Sequence, residues 1–81
     1  MVKVLVVEDD AVQMTLLTLL VEKHGHVVVS AKDGQKALEV VETDCPDIII
    51  SDINMPVMDG LALCTEIKSS PHTRKLPVLL V

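Results

Sequence analysis

The sequence has 81 residues, a length that allows one domain with a single small hydrophobic core. It is 49% hydrophobic and contains no Phe, Trp or Tyr, so the core must be aliphatic. The net charge is −5 and the basic residues form no extended run, which argues against a nucleic-acid-binding face.

No apolar run approaches the roughly 18 residues of a membrane span, and the N-terminus lacks the pattern of a signal peptide. Cys45 and Cys64 stand alone, without the spacing of a disulfide or zinc framework. These absences predict a soluble cytoplasmic domain with no membrane contact.

Four short apolar runs have the composition of buried β-strands. They are rich in Val, Ile and Leu and too short to be helices. The predicted strands are Val2–Val7, His26–Ser30, Ile48–Ile50 and Leu76–Val81.

Segments with helical spacing separate these runs, and each follows an aspartate that can cap its first turn. The first helix follows Asp10, with Gln13 as the reciprocal capping-box partner, and ends near Gly25. The second follows Asp33, and Asp59 is expected to cap the third. The first helix gathers residues near one face, namely Val12, Leu16, Leu19, Leu20 and Lys23.

Alternation of strands and helices is typical of a parallel sheet with right-handed crossovers and helices on both faces. The carboxyl ends of such strands meet at one edge, where ligands bind. Glu8 and Asp9 follow the first strand and Asp52 follows the third, so we expect these carboxylates to converge if the first and third strands are neighbours.

Carboxylates that converge repel one another, and a hard divalent cation with oxygen ligands relieves the repulsion. The expected cation is Mg²⁺, with a main-chain carbonyl after Asp52 as a further ligand. A metal beside a carboxylate at a strand end suits phosphoryl transfer. A simpler interpretation assigns the first acidic residues to a solvated helix N-terminus, and we prefer it only for Asp10.

The segments VLVVEDD, DIIISDINMPVMDG and LPVLLV resemble the receiver domain of two-component response regulators. The resemblance implies a flavodoxin-like, three-layer α/β fold with the strand order 2-1-3-4-5. Only the first four strands and three helices match residues 1–81. We therefore expect this segment to be the N-terminal two-thirds of a receiver domain, without the fifth strand and the last two helices.

The resemblance also implies residue roles. Asp52 matches the phosphoryl-accepting aspartate, which ligates Mg²⁺ together with Asp9 and the main-chain carbonyl of Asn54. Glu8 matches the neighbouring acid, which usually acts on the metal through water.

Other family positions shape the loop or hold the phosphoryl group. Pro56 and Gly60 match the residues that shape the loop after Asp52. The family's Ser or Thr, its Lys and its aromatic switch residue would all follow Val81.

The resemblance implies a signalling domain rather than an enzyme, phosphorylated by a sensor histidine kinase or a histidine phosphotransfer protein. One alternative is an aspartate-nucleophile phosphatase of the haloacid dehalogenase type, which carries an Asp where this chain has Asn54. Another is an interaction or dimerisation module in which phosphorylation no longer matters. The apolar edge of the fourth strand predicts a homodimer, a swapped assembly or another cover.

Overall fold

The computed structural model of the chain describes residues 2–53 and 58–81. Within these ranges strands and helices alternate, as the sequence predicts. The elements are β1 Lys3–Val7, α1 Ala11–Lys23, β2 Val27–Ala31, α2 Gly34–Asp44, β3 Ile48–Ser51, α3 Gly60–Ser69 and β4 Val78–Leu80.

The strands form one parallel sheet in the order β2-β1-β3-β4. This is the order that the flavodoxin-like fold gives to its first four strands, so the predicted fold class is confirmed. Val7, the last residue of β1, lies opposite Ala31 of β2 and Ser51 of β3. The carboxyl ends of β1, β2 and β3 therefore lie side by side.

Helices α2 and α3 pack together on one face of the sheet and cover the main core. Alternate strand residues such as Leu5 and Ile49 point into this core and are fully buried. The whole cluster consists of Leu5, Val7, Ala31, Ala37, Val41, Ile49, Leu63 and Ile67. With no aromatic residue, the core depends on close packing of these branched side chains.

Aspartates cap the three helices, as predicted. The side chain of Asp10 accepts hydrogen bonds from the amides of Val12 and Gln13, and Asp33 and Asp59 cap α2 and α3. The predicted capping box is wrong, because the amide of Asp10 donates to the carboxylate of Glu8 at 3.2 Å. Glu8 therefore accepts the hydrogen bond that the capping box assigned to Gln13.

The first helix, on the other face of the sheet, leaves an apolar surface in water. Its residues turned toward the sheet are only half-buried, and none is fully buried. The leucines that the sequence gathers on one face are more than half exposed, and so are Leu79 of β4 and Val81 directly after that strand. We call the exposed set the α1–β4 apolar surface, consisting of Val12, Leu16, Leu19, Leu20, Leu79 and Val81.

Two strand predictions need correction. The fourth strand is shorter than the apolar run, because the amide of Leu76 closes a turn onto Thr73 and Pro77 has no N–H to donate. The third strand is not buried on both faces throughout. Ile49 is fully buried, whereas Ile48 and Ile50 are half-buried.

Candidate functional site

Three carboxylates meet at the carboxyl edge of the sheet. Glu8 and Asp9 follow β1, and Asp52 follows β3. The amide of Asp52 donates to the carbonyl of Val7 at 3.1 Å, which continues the β1–β3 pairing to the edge. Each carboxylate offers an oxygen that lies within 4.8 Å of the others. The structure thus brings together the acidic residues that the sequence predicts to converge.

The carboxylates line an open cavity of about 470 Å³. Asp9 is exposed, Asp52 is half-buried and Glu8 is buried, so the cavity presents acidic groups at different depths. The first turns of α1 and the end of the chain complete the lining. Its residues are Glu8, Asp9, Asp10, Gln13, Leu17, Asp52 and Val81.

Glu8 is the most buried carboxylate of the site, with 6% of its surface exposed. Burial raises its pKa above the ordinary 4.5, and the negative charges of Asp52 and Asp9 raise it further. The hydrogen bond from the Asp10 amide opposes this shift, because it stabilises the ionised form. A cation at this edge would favour the ionised form in the same way.

The raised pKa predicts how stability depends on pH. The folded chain retains the Glu8 proton to a higher pH than the unfolded chain does. The contribution of Glu8 to the free energy of unfolding is therefore complete below the ordinary pKa and is lost as pH rises through the raised folded value. We expect Glu8→Gln to remove this loss and to stabilise the metal-free chain at neutral pH. The glutamine keeps an oxygen that can accept from the Asp10 amide.

Urea unfolding of the metal-free chain at several pH values measures this effect. Glu66→Gln, at an exposed glutamate of α3, is the matched control and should keep the wild-type pH dependence. Equal pH dependence in wild type and Glu8→Gln would contradict the prediction.

Backbone hydrogen bonds hold the segment around Asp52 from several sides. The amide of Ile53 donates to the carbonyl of Val81 at 3.1 Å, and the amide of Val81 donates to Ser51 at 2.9 Å. From α3, the amide of Gly60 donates to the carbonyl of Ile53 at 2.9 Å. Asp52 therefore lies between strands and the start of a helix, and its main chain is well supported.

Gly60 allows the first turn of α3 to approach this segment closely. A Cβ atom at this position would lie 2.5 Å from the carbonyl oxygen of Asp52 and 3.0 Å from Leu80. The methyl group of Leu80 could move aside, but the contact with the main chain of Asp52 would force the backbone to shift, so this close approach favours glycine. This agrees with its predicted role in shaping the region after Asp52, whereas Asn54 and Pro56 lie outside the described residues.

Two features of the site were not expected from the sequence. Ser51 is fully buried, and its hydroxyl donates to the carbonyl of Asp52 at 3.0 Å. A hydroxyl at the end of an apolar strand was the only available signal. Gln13 lines the acidic cavity, rather than completing a capping box. Its place in the first turn after two acidic residues was the corresponding clue.

The donor set suits a hard divalent cation. Carboxylate oxygens are preferred ligands of Mg²⁺, and three converging carboxylates supply the negative charge that such an ion offsets. Burial is the main cause of the raised pKa of Glu8, the charges of Asp52 and Asp9 raise it further, and a cation at this edge would offset those charges. The residues present therefore fit Mg²⁺.

The family model of the response regulator receiver domain matches residues 4–81, nearly the whole chain. This chain belongs to the receiver domain family. It is 39% identical over 79 residues to the response regulator PleD of Caulobacter vibrioides, covering 98% of this chain but 17% of that protein. Members of the family are signalling domains, and the chain spans less than a fifth of this relative.

Solved receiver domains share the fold closely. The signal receiver domain of a signal transduction histidine kinase from Syntrophus aciditrophicus has a TM-score of 0.97 and 37% identity, covering 100% of this chain and 61% of that one. The receiver domain of the sensor histidine kinase PA1611 from Pseudomonas aeruginosa has a TM-score of 0.91 and 29% identity. The match covers 98% of this chain and 65% of that structure, which is described with a magnesium ion coordinated in its active site cleft.

A membrane-spanning role finds no support in the helices of the described ranges. None of them combines the length and the apolar character that crossing a bilayer requires.

Proposed function

We propose that this receiver domain accepts a phosphoryl group on Asp52 from a phosphohistidine of a sensor histidine kinase or a histidine phosphotransfer protein. The observation that carries the proposal is the convergence of Glu8, Asp9 and Asp52 at the carboxyl edge of a receiver fold. Asp52 is half-buried and its main chain is held by backbone hydrogen bonds, so its carboxylate is accessible and projects from a fixed point of the sheet edge. A nucleophile in a phosphoryl transfer requires this combination.

In the proposed reaction, a carboxylate oxygen of Asp52 forms the new bond to phosphorus as the N–P bond of the phosphohistidine breaks. The electron pair of that bond returns to the imidazole, and the product is an acyl phosphate on Asp52. A Mg²⁺ ion bound by Asp9, Asp52 and the Asn54 carbonyl would offset the negative charge of the carboxylates and of the phosphoryl oxygens. Glu8 lies deeper and is assigned a role through water.

Asp9 and Glu8 have different tasks in this proposal because their burial differs. Asp9 is exposed at the mouth of the cavity, where it would reach a metal directly. Glu8 is buried behind it and is held by the amide of Asp10. The acyl phosphate carries about −1.5 to −2 charges in place of the single negative charge of the Asp52 carboxylate, and this gain of negative charge biases the signalling surface.

We also propose that residues 1–81 correspond to the first four strands and three helices of a receiver domain. The chain aligns with 61% of one solved receiver domain and 65% of another, at TM-scores above 0.9. The interaction with a histidine kinase or a histidine phosphotransfer protein is likewise a proposal, as is any output activity of a larger protein. The domain is proposed to signal rather than to turn over a substrate.

Titration with Mg²⁺ tests the site without phosphorylation. We expect weak binding that shifts the amide resonances of residues 8 to 10 and 52 to 53, because these surround the carboxylates. Asp9→Ala and Asp52→Asn each remove a charged ligand and should weaken binding by about tenfold or more. The readout is the NMR amide shift of each variant over the titration.

The matched control is Asp44→Asn, at an exposed aspartate of α2, which should bind Mg²⁺ like the wild type. Shifts spread evenly over the chain would show non-specific binding to an acidic protein. Unchanged affinity in Asp9→Ala would place the metal elsewhere.

A further inference from the structure

Ser51 is a buried polar residue in an otherwise apolar strand. None of its surface is exposed, and it directly precedes the proposed phosphoryl acceptor. Its hydroxyl donates to the carbonyl oxygen of Asp52 at 3.0 Å. A buried hydroxyl is costly unless it is hydrogen-bonded, so this contact is the reason that serine is tolerated here.

The same carbonyl group is confined from another side. Gly60, the first residue of α3, packs so closely on it that a Cβ atom would lie 2.5 Å from the oxygen. The carbonyl of Asp52 therefore lies between the hydroxyl of Ser51 and the main chain of α3. The register of β3 with β1 and β4 extends to Ser51, and Asp52 is the first residue beyond it.

We propose that Ser51 is a positioning residue, whose hydroxyl fixes the orientation of the Asp52–Ile53 peptide and thereby the direction of the Asp52 carboxylate. The proposal rests on the proposed function of Asp52. The rotamers that an aspartate side chain can adopt depend on its backbone dihedrals, so a change in ψ at Asp52 would change the direction of its carboxylate relative to Glu8 and Asp9. The hydroxyl thereby helps to hold the carboxylate oxygens of Glu8, Asp9 and Asp52 within the observed 4.8 Å of one another.

A purely structural role for Ser51 makes different predictions. If the side chain only filled space, substitutions would change metal binding in proportion to their effect on stability. Ser51→Ala removes the donor at little cost in volume, whereas Ser51→Thr keeps the hydroxyl and adds a methyl group to a fully buried position. The two substitutions thus separate hydrogen bonding from packing.

The experiment compares these variants of the 81-residue chain in three measurements: the Asp52 carbonyl shift, the Mg²⁺ affinity and the melting temperature. In the metal-free chain, the ¹³C shift of the Asp52 carbonyl reports its hydrogen bond directly. In the Mg²⁺ titration, we expect Ser51→Ala to weaken binding by about fivefold, the factor that one ordinary hydrogen bond is worth. Its melting temperature should change little. Ser51→Thr should melt at a lower temperature, while its carbonyl shift and its Mg²⁺ affinity remain near the wild-type values.

Ser30→Ala, at an exposed serine of β2, is the control for a serine-to-alanine change in a strand and should alter neither the Asp52 carbonyl shift nor the Mg²⁺ affinity. If Ser51→Ala does not fold, Ser51→Cys takes its place, because a thiol is similar in size but a weak donor. The proposal is overturned if the donor-deficient variant keeps the wild-type carbonyl shift, or if Ser51→Thr loses affinity as the alanine variant does.

Failure of this proposal is distinguishable from failure of the proposed function. If the wild-type chain shows no localised response to Mg²⁺, the assigned metal site is wrong, whatever Ser51 does. The carbonyl shift of the metal-free variants still decides whether Ser51 holds the Asp52 peptide. If wild type binds Mg²⁺ and Asp52→Asn weakens binding while Ser51→Ala does not, only the role of Ser51 is rejected.

Discussion

Replacement of Asp52 by alanine is expected to abolish phosphorylation of the protein by a small phosphodonor in the presence of Mg²⁺. The acyl phosphate requires a carboxylate oxygen as its acceptor, and alanine supplies none. Asp9 is close by, but it is proposed to bind the metal and would not take over as the nucleophile. Intact-mass and peptide mass spectrometry of the complete protein measure the modification and locate it.

The control is Asp33→Ala, which removes an aspartate from the cap of α2. It should lose some stability, about 1 kcal/mol for an N-cap, yet retain full labelling of Asp52. A label on Asp9, Asp10 or Asp59 in the wild-type protein would overturn the assignment.

Labelling of residues 1–81 alone should be slower than labelling of a complete receiver domain. In the family, a Ser or Thr and a Lys hold the phosphoryl oxygens, and no residue of this segment matches them. The metal and Asp52 would then act without two of the usual electrostatic contacts, each of which lowers the barrier to transfer. Equal labelling rates would show that those contacts are dispensable here.

The elements that determine the site were predictable because they depend on local rules. A run of β-branched residues forms a buried strand, an aspartate before an apolar period caps a helix, and alternation of the two forces a parallel sheet. Once β1 and β3 are neighbours, residues 8 and 52 must emerge at the same edge. The convergence of the carboxylates follows from topology, without knowledge of any side-chain contact.

Features that depend on tertiary contacts were less predictable. The extent of β4 is set by a turn and by a proline without an N–H, whereas hydrophobicity alone extended the strand to Leu76. Burial of Glu8 behind Asp9 results from the way the chain leaves the sheet, because adjacent acidic residues look equivalent in the sequence. The role of Ser51 depends on a hydrogen bond to the next residue, which no periodicity reveals.

The orientation of the first helix is another feature that depends on tertiary contacts. Apolar residues lie on more than one side of it, so the sequence cannot say which side meets the sheet. The structure turns Met14, Leu17 and Val21 toward the sheet and leaves Leu16 and Leu20 more than half exposed. The side of α1 that meets the sheet is therefore not the side on which the spacing gathers Leu16, Leu19 and Leu20.

The α1–β4 apolar surface is expected to cause self-association of the chain. Its leucines are 53% to 59% exposed, and burying such a side chain fully is worth about 1.5–3 kcal/mol. A small domain has a total stability of roughly 5–15 kcal/mol, so leaving several of these side chains in water forgoes much of that margin. We therefore expect the 81-residue chain to associate through this surface at micromolar concentration, and to melt with low cooperativity when diluted.

Sedimentation velocity over a range of concentrations measures the association. The double substitution Leu16→Gln and Leu79→Thr, one on the helix and one on the strand, should shift the chain toward monomer. Leu61→Gln is the matched control, because Leu61 is 57% exposed but lies on α3, across the sheet from α1. The sedimentation of Leu61→Gln should remain like that of the wild type. Leu61 is about as exposed as Leu16 and Leu79, and it differs from them only in its location.

The melting behaviour tests whether copies of the chain cover the α1–β4 apolar surface. If copies of the chain cover one another, the melting temperature should rise with protein concentration, because association stabilises only the folded state. The double substitution should remove that dependence. A monodisperse monomer of 8.8 kDa that melts cooperatively at every concentration would contradict the prediction. It would show that the core between the sheet and helices α2 and α3 is sufficient, and that the α1–β4 apolar surface needs no cover.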